Sequence, residues 1–341
     1  MSTPHSPSPC SPTGLDAVAR LLLADGTALA PDAARVAVVD AGAGLDDAAR
    51  EAWPAVHAYR DRLDAGPSTD TLAEAVEGAE LVLLDLPTSL DALEDTARTV
   101  STHAAPGVVL VAAGRSKHMT PRQNDVLGRA FEQVQAQRGV GKCRALHARG
   151  ARPAEDPTPR TAEEQTTGLQ LVAHGGVFNG PRLDRGTRLL LTTQGHWPEP
   201  DRARDALDLG CGNGVLTAVL ARRGHTATGL DVSRAAVASA RATLAANDLD
   251  GTVHLADGLT GTPSASADLV VTNPPFHVGA AKDSAPTLAM LRDAARVLRP
   301  GGELWCVYNS HLPYRQVARE VFTQVLEVAR DREFTVLRAV R

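Results

Sequence analysis

The sequence predicts an α/β chain of two doubly wound units, each built on a mostly parallel sheet, the second ending in an antiparallel hairpin. Three observations carry this. Short apolar runs alternate with Ala- and Leu-rich helical stretches, the pattern of strand–helix–strand units. The alternation breaks at a proline-rich stretch near the middle and then restarts. The two halves also match each other segment by segment. At roughly 150 residues per domain, 341 residues make about two domains.

Residues 1–13 are rich in Ser and Pro, carry no Lys or Arg, and read as a disordered tail without the charged start of a signal peptide. Residues 14–150 form the first domain, with strands at 35–40, 81–86 and 108–112 and a helix over 90–100. Residues 151–167 carry prolines at 153, 157 and 159 and little that is apolar, and read as a linker. The second domain, 168–341, opens with a strand at 206–209 that enters a Gly-rich turn. A helix over 215–223, closed by Gly224, and a strand over 228–231 follow. Ser233 suits the N-cap of a helix through Asn247, with Val237, Ala240 and Leu244 on one face. A strand over 268–272 ends at Asn273, and a helix with Leu288, Leu291, Ala295 and Leu298 on one side stops at 299–302. A strand at 303–308, a helix at 314–323 and two strands around Asp331 complete the pattern.

The internal parallels are specific. Asp40-Ala-Gly-Ala-Gly44 resembles Asp208-Leu-Gly-Cys-Gly212, residues 81–87 resemble 269–275, and residues 106–110 resemble 300–304. The order is kept while the spacing drifts. The first copy departs at Asp85-Leu-Pro87 and lacks the third glycine of its turn, as expected of a fold kept without its chemistry.

Composition narrows the function classes. With 43% hydrophobic and 22% charged residues the chain is a globular protein, and no apolar run approaches the roughly 20 residues of a membrane span. Cys10, Cys143, Cys211 and Cys306 lie far apart with no CxxC pair, which argues against a zinc site or a disulfide framework and for a reducing cytoplasm. Net charge is −5, yet residues 115–160 hold ten Lys or Arg against four acids. Arg115, Lys117, Arg122, Lys142 and Arg144 in that block are candidate phosphate contacts, a solvated helix face plus linker being the alternative on charge alone.

The chemistry gathers at carboxyl strand ends of the second half. Asp208-Leu-Gly-Cys-Gly-Asn-Gly214 joins a strand to a helix, so its glycines admit close approach to free N–H groups at a positive dipole end. The dinucleotide fingerprint needs its third glycine at 215, which is Val; the glycine stands at 214, against a dehydrogenase. Asp231 ends the next strand, where an acid accepts ribose hydroxyls, and Asp257-Gly258 ends another, where an acid accepts from an adenine amine. In Asn273-Pro-Pro-Phe276 two prolines stiffen the turn, so that the Asn amide oxygen and the Pro274 carbonyl aim at one –NH2 group, and Phe276 offers a face for a base. A ring-conjugated amine is a poor nucleophile, and two acceptors on its hydrogens favour the pyramidal form that frees its lone pair.

Asp208 to Gly214 with Asn273 to Phe276 resembles the class I methyltransferases that use S-adenosylmethionine on amino nitrogens. Residues 176–191, Asn273-Pro-Pro-Phe-His277, Ser310-His-Leu-Pro-Tyr314 and Lys117-His-Met-Thr-Pro121 narrow it to the bacterial ribosomal RNA guanine-N2 methyltransferases of the RsmC/RlmG type. The resemblance implies two tandem Rossmann-like methyltransferase domains: a degenerate N-terminal copy that binds RNA and a catalytic seven-stranded C-terminal copy. It implies Asp208, Gly210, Gly212 and Gly214 at the methionine part of S-adenosylmethionine, Asp231 at the ribose and Asp257 with Gly258 at the adenine. It further implies Phe178 and the stretch holding Gly186 and Thr187 closing over the cofactor, Asn273, Pro274, Pro275 and Phe276 as the catalytic turn, and no metal. The expected partner is ribosomal RNA or a ribosomal subunit, without a membrane. His277 is a candidate to take the late proton. Other acceptors, adenine N6 in DNA or a protein glutamine, and a non-catalytic RNA-binding assembly factor remain open on the residues alone.

Overall fold

The computed structural model describes residues 14–193, 204–274 and 285–341. The chain divides after Thr158 into two compact units.

The first unit opens with α1 (Ala17–Leu29), capped by Asp16, whose carboxylate accepts the Ala19 N–H at 2.8 Å. There follow β1 (Val36–Val39), α2 (Ala43–Ala52), β2 (Val56–Tyr59), α3 (Leu72–Val76), β3 (Leu81–Asp85), α4 (Leu90–His103), β4 (Val109–Arg115), α5 (Arg122–Ala130), β5 (Phe131–Ala136) and β6 (Cys143–Ala151). The sheet order is β2-β1-β3-β4-β6-β5, parallel through β4 and antiparallel beyond it. Strand residues alternate between two buried faces: Val36, Val38, Leu81 and Leu83 join one core and Ala37, Val39, Val82 and Leu84 the other. Burial on both faces explains why these strands read as unbroken apolar runs.

The second unit contains β7 (Arg160–Glu164), β8 (Leu169–Ala173), α6 (Arg185–Thr192), β9 (Asp205–Leu209), α7 (Val215–Arg222), β10 (Thr226–Asp231), α8 (Arg234–Ala246), β11 (Thr252–Leu255), β12 (Ala267–Thr272), α9 (Ala285–Val297), β13 (Leu298–Asn309), α10 (Tyr314–Ala318), β14 (Gln324–Arg330) and β15 (Phe334–Val340). Its main sheet runs β11-β10-β9-β12-β13-β15-β14, with β15 antiparallel to both neighbours. Three expectations shift. Residues 151–167 are not a bare linker, because β7 lies within them and pairs with β8. The helix expected to reach Leu298 ends at Val297, where β13 begins, and the one expected to reach Thr323 ends at Ala318.

The first sheet repeats the second without an equivalent of β11. Register places the correspondence residue by residue. Leu84 pairs with Val39 and Ala112, as Thr272 pairs with Leu209 and Cys306, so Asp85 stands where the second unit has Asn273. The same register matches Asp40 to Gly210, two residues from the sequence alignment with Asp208. It also matches Tyr59 to Leu230, so that Arg60 takes the place of Asp231. Arg60 is buried, donating to Asp46 Oδ2 at 2.7 Å, Pro67 O at 2.6 Å and Ala41 O at 3.1 Å. A guanidinium thus sits where the second unit offers a carboxylate, the physical form of the degeneracy in the first copy.

Cys143, Cys211 and Cys306 are free and buried. Among the described residues no helix is long and apolar enough to cross a membrane, and no group of three His, Cys, Asp or Glu is placed to hold a metal.

Candidate active site

Three parallel strand ends build the site. Leu209 and Thr272 are register partners on neighbouring strands, so the glycine bend after β9 and the Asn273 corner after β12 emerge side by side. Neighbouring strands lie about 4.8 Å apart. The Thr272 hydroxyl donates to Leu209 O at 2.8 Å and ties the two ends together.

The bend requires its glycines for two different reasons. Gly210, Gly212 and Gly214 all have positive φ, at 75°, 54° and 80°. A Cβ on Gly210 or Gly212 would project into open space, whereas one on Gly214 would lie 2.6 Å from Ala240 Cα. The first two therefore leave an open cradle of backbone, and the third lets α7 start against α8. Gly210 and Cys211 donate their N–H groups to Leu230 O, which pins the bend to β10.

Asp208 lies beneath this cradle, buried. Its Oδ2 accepts from the Thr217 N–H at 2.8 Å and the Thr217 hydroxyl at 2.6 Å, bracing α7, and its Oδ1 is buried without a partner. Burial, reinforced by the nearby Asp231, pushes the carboxyl up to about 7. Asp231 accepts the Gly212 N–H on Oδ2 and the Ser233 N–H on Oδ1, each at 2.9 Å, leaving one lone pair on each oxygen for hydroxyls. Ser233 caps α8 by accepting the Ala236 N–H. Asp257 and Gly258 are exposed at the end of β11, whose Leu255 is the register partner of Asp231.

The Asn273 side chain is held on one edge. Its Nδ2 donates to Asp184 Oδ1 at 3.0 Å and to Thr187 Oγ1 at 2.9 Å, spending both amide hydrogens. Asp184 is also the N-cap of α6, and the same Oδ1 takes the Gly186 and Thr187 N–H groups. Asn273 Oδ1 is left buried with no partner. Pro274 follows, buried and unable to donate an N–H. Pro275, Phe276 and His277 lie outside the described residues.

Gly186 and Thr187, expected at a cofactor, are buried in the bracket: a Cβ on Gly186 would meet the Phe334 ring at 3.2 Å, and the Thr187 hydroxyl goes to Asn273. Phe178 is 70% exposed and, with Arg182, Arg185 and Phe334, lines an open cavity of about 650 Å3. Asn213 went unnoticed in the sequence. Its Nδ2 donates to Gly180 O at 2.9 Å and Arg182 O at 3.1 Å, tying the loop that carries Phe178 to the glycine bend. Its position inside the glycine run was the available signal. Tyr308 and Tyr314 stack at 4.8 Å below the loop after β13. Arg115, Lys117, Arg122, Lys142 and Arg144 are all exposed on the first unit.

Two buried acceptors without donors flank an open backbone cradle at the carboxyl end of a parallel sheet, the construction of a class I methyltransferase acting on an amino nitrogen. Residues 168–338 match the methyltransferase small domain family and residues 53–152 the RLMG N-terminal domain. The Ribosomal RNA large subunit methyltransferase G of Streptomyces coelicolor is 39% identical over 275 residues, 77% of this chain and 72% of that protein. The protein of the same name from Pseudomonas aeruginosa (strain UCBPP-PA14) is 36% identical over 291 residues, 82% and 76% of the two chains. The solved T. thermophilus 16S rRNA N2 methyltransferase RsmC, in complex with AdoMet and guanosine, is 27% identical with a TM-score of 0.81, covering 96% of this chain and 92% of that one. This chain belongs to the bacterial ribosomal RNA guanine-N2 methyltransferase family of the RsmC/RlmG type.

Proposed function

We propose that the chain transfers the methyl group of S-adenosylmethionine to the exocyclic N2 amine of a guanine in ribosomal RNA, with Asn273 as the acceptor that orients the amine. The observation that carries the reading is the Asn273 side chain. Both of its amide hydrogens are spent on Asp184 and Thr187, and its oxygen is buried and bare beside the glycine bend. A buried acceptor left without a donor costs about 1–3 kcal/mol, which an arriving –NH2 group relieves.

The residues present fit the cofactor. Gly210 and Gly212 leave room for it, and the bare Asp208 Oδ1 suits its ammonium group. Asp231 retains lone pairs for ribose hydroxyls, and exposed Asp257 suits an adenine amine. When bound, S-adenosylmethionine supplies a sulfonium methyl that is displaced in line, with no covalent enzyme intermediate. Asn273 Oδ1 and the Pro274 carbonyl accept the two N2 hydrogens and turn the lone pair toward the methyl. Preorganised dipoles of this kind need no reorganisation as charge moves. One N–H proton leaves to water as the new N–C bond completes, so atoms and charge balance without a strong base in the chain.

We assign the substrate to the large-subunit RNA, because the two relatives described above share 36–39% identity and carry that name, against 27% for the small-subunit enzyme. The exposed Arg115, Lys117, Arg122, Lys142 and Arg144 of the first unit suit phosphate contacts. The reading puts the protein with ribosomes in the bacterial cytoplasm. The test is transfer of labelled methyl to purified rRNA, followed by mass mapping of the modified guanosine. Asn273→Ala is expected to lower kcat at least 100-fold with S-adenosylmethionine affinity unchanged, on the scale of losing one preorganised dipole. Full activity in that variant would overturn the role given to Asn273.

A further inference from the structure

We propose that the N-terminal unit holds a second nucleobase site, a cavity at the carboxyl ends of β3 and β4 in which the Asp85 carboxylate takes the N1–H and N2–H of a guanine. The proposal rests on ribosomal RNA being the substrate and concerns a different pocket from the methyl-transfer site.

The cavity holds about 220 Å3 and is lined by Asp16, Asp85, Leu86, Arg115, His118 and Met119, among others. Its position is not arbitrary, since the strand register puts Asp85 where the other unit has Asn273. The first copy therefore keeps an oxygen acceptor at the corner that presents one to an amine in the second. Asp85 is half-buried, and among the described residues no donor hydrogen-bonds to its carboxylate. Burial and the neighbouring Asp16 and Asp40 push its carboxyl up to about 6, so the fold bears the cost of this acid without offering it a partner.

The chemistry of the missing donor is restrictive. A carboxylate has two parallel acceptors. Among the four RNA bases only guanine presents two adjacent donors on its pairing edge; adenine and cytosine pair one donor with an acceptor, and uracil flanks its single N–H with carbonyls. Leu86 and Met119 give apolar surface for the ring faces. Gly114 lets these two side chains lie close against β4, because a Cβ there would lie 3.2 Å from Leu86 Cβ and 4.0 Å from Met119 Cγ. Single-stranded RNA bases are read in this way, splayed into a pocket and bonded along the pairing edge.

A basic rim stands next to the pocket. Arg115 lines it and is followed by exposed Lys117 and His118. Exposed Arg144 is the register partner of Gly114, and Lys142 O accepts the Ser116 N–H at 2.9 Å. A phosphate attached to the bound nucleoside meets cations here, whereas the pocket itself selects the base. The net effect is a second grip on the RNA, one nucleotide deep.

The test is photo-cross-linking of full-length protein with 6-thioguanosine monophosphate, followed by peptide mass mapping. Cross-links are expected on peptides spanning 85–88 or 114–119, and separately near the methyl-transfer site of the second unit. Guanosine monophosphate should compete for the first set, and adenosine monophosphate should not. Asp85→Ala should weaken the N-terminal cross-link about tenfold, the scale of one bidentate base contact, and leave the C-terminal one intact. The same variant should raise KM for rRNA with kcat and S-adenosylmethionine affinity unchanged. Cross-links confined to the second unit, or N-terminal cross-links competed equally by all four nucleotides, would overturn the site. Loss of rRNA methylation by the unsubstituted protein would instead sink the substrate assignment.

Discussion

Asp184 Oδ1 accepts the Asn273 amide at 3.0 Å while capping α6 through the Gly186 and Thr187 N–H groups, so one carboxylate oxygen couples the start of that helix to the catalytic corner. The coupling fixes which way the Asn273 amide faces. Its nitrogen edge is spent on Asp184 and Thr187, and its oxygen edge faces the site by elimination.

Thr187→Val separates this bracket from the fold. The substitution nearly keeps volume and removes one of the two acceptors of Asn273 Nδ2. Stability should fall by about 1 kcal/mol, the usual worth of one hydrogen bond. The rate constant kcat should fall about tenfold with S-adenosylmethionine affinity unchanged, as measured by single-turnover methyl transfer beside calorimetric titration. Asp184→Ala removes the cap as well and should add about 1 kcal/mol of destabilisation. Unchanged kcat in both variants would detach the bracket from catalysis.

The three bend glycines should separate in the same way. Gly210→Ala places a methyl in open space at a φ of 75°, so strain of about 1–2 kcal/mol is its only folding cost. Its main effect should be weaker cofactor binding, because the methyl enters the cradle. Gly214→Ala adds a methyl 2.6 Å from Ala240 Cα at a φ of 80° and should cost about 3 kcal/mol or more. Melting temperature and cofactor affinity, measured on both variants, should therefore rank them in opposite orders.

Asp208 makes stability depend on pH in a definite direction. Its folded-state carboxyl, raised from 3.8 to about 7, holds its proton more tightly than the unfolded chain does. Between about pH 4 and pH 7 the native state therefore binds the extra proton, and stability falls as pH rises through that window. Asp85, raised to about 6, acts in the same sense over the lower part of it. Asp208→Asn should flatten the decline between pH 5 and pH 8 and raise the melting temperature at pH 8. It should also weaken S-adenosylmethionine binding, because the bare carboxylate oxygen facing the ammonium is lost. A melting temperature that rises with pH over that range in the unsubstituted protein would contradict the buried acid.

What the sequence shows and hides follows from how local each signal is. The parallel strands were visible because both faces are buried, which writes each one as a short apolar run such as residues 81–84. The Asn273 corner was visible because two prolines announce it. The seating of β8 on α8 was not. Ser239 Oγ, Thr243 Oγ1 and Asn247 Oδ1 accept the His174, Val172 and Gln170 N–H groups at 2.9–3.0 Å. Two strand residues span about 6.6 Å and four helix residues about 6.0 Å, so a polar stripe at every fourth helix position matches alternate strand amides. That stripe stands in the sequence, but its partner lies more than 60 residues away. The Asp184 bracket hides for the same reason, since its two ends are 89 residues apart. Glycine-rich turns drift in length, which is why Asp40 resembles Asp208 in sequence although its place in the sheet is that of Gly210.

The Arg60–Asp46 pair tests whether the first copy has become a structural element in its own right. Both side chains are buried, and Arg60 adds two backbone carbonyls to its ion pair. Removing one partner strands a buried charge, so Arg60→Leu should destabilise the N-terminal unit by about 3–5 kcal/mol. The double variant Arg60→Leu with Asp46→Leu leaves no charge stranded and should recover much of that loss, although the Ala41 and Pro67 carbonyls still forfeit their donor. Thermal unfolding of all three proteins supplies the cycle. A single substitution no worse than the double would mean that the pair is already open to water, and the buried guanidinium would lose its standing as the replacement for Asp231. Throughout, the affinity of the C-terminal unit for S-adenosylmethionine should stay unchanged, because neither residue belongs to that unit.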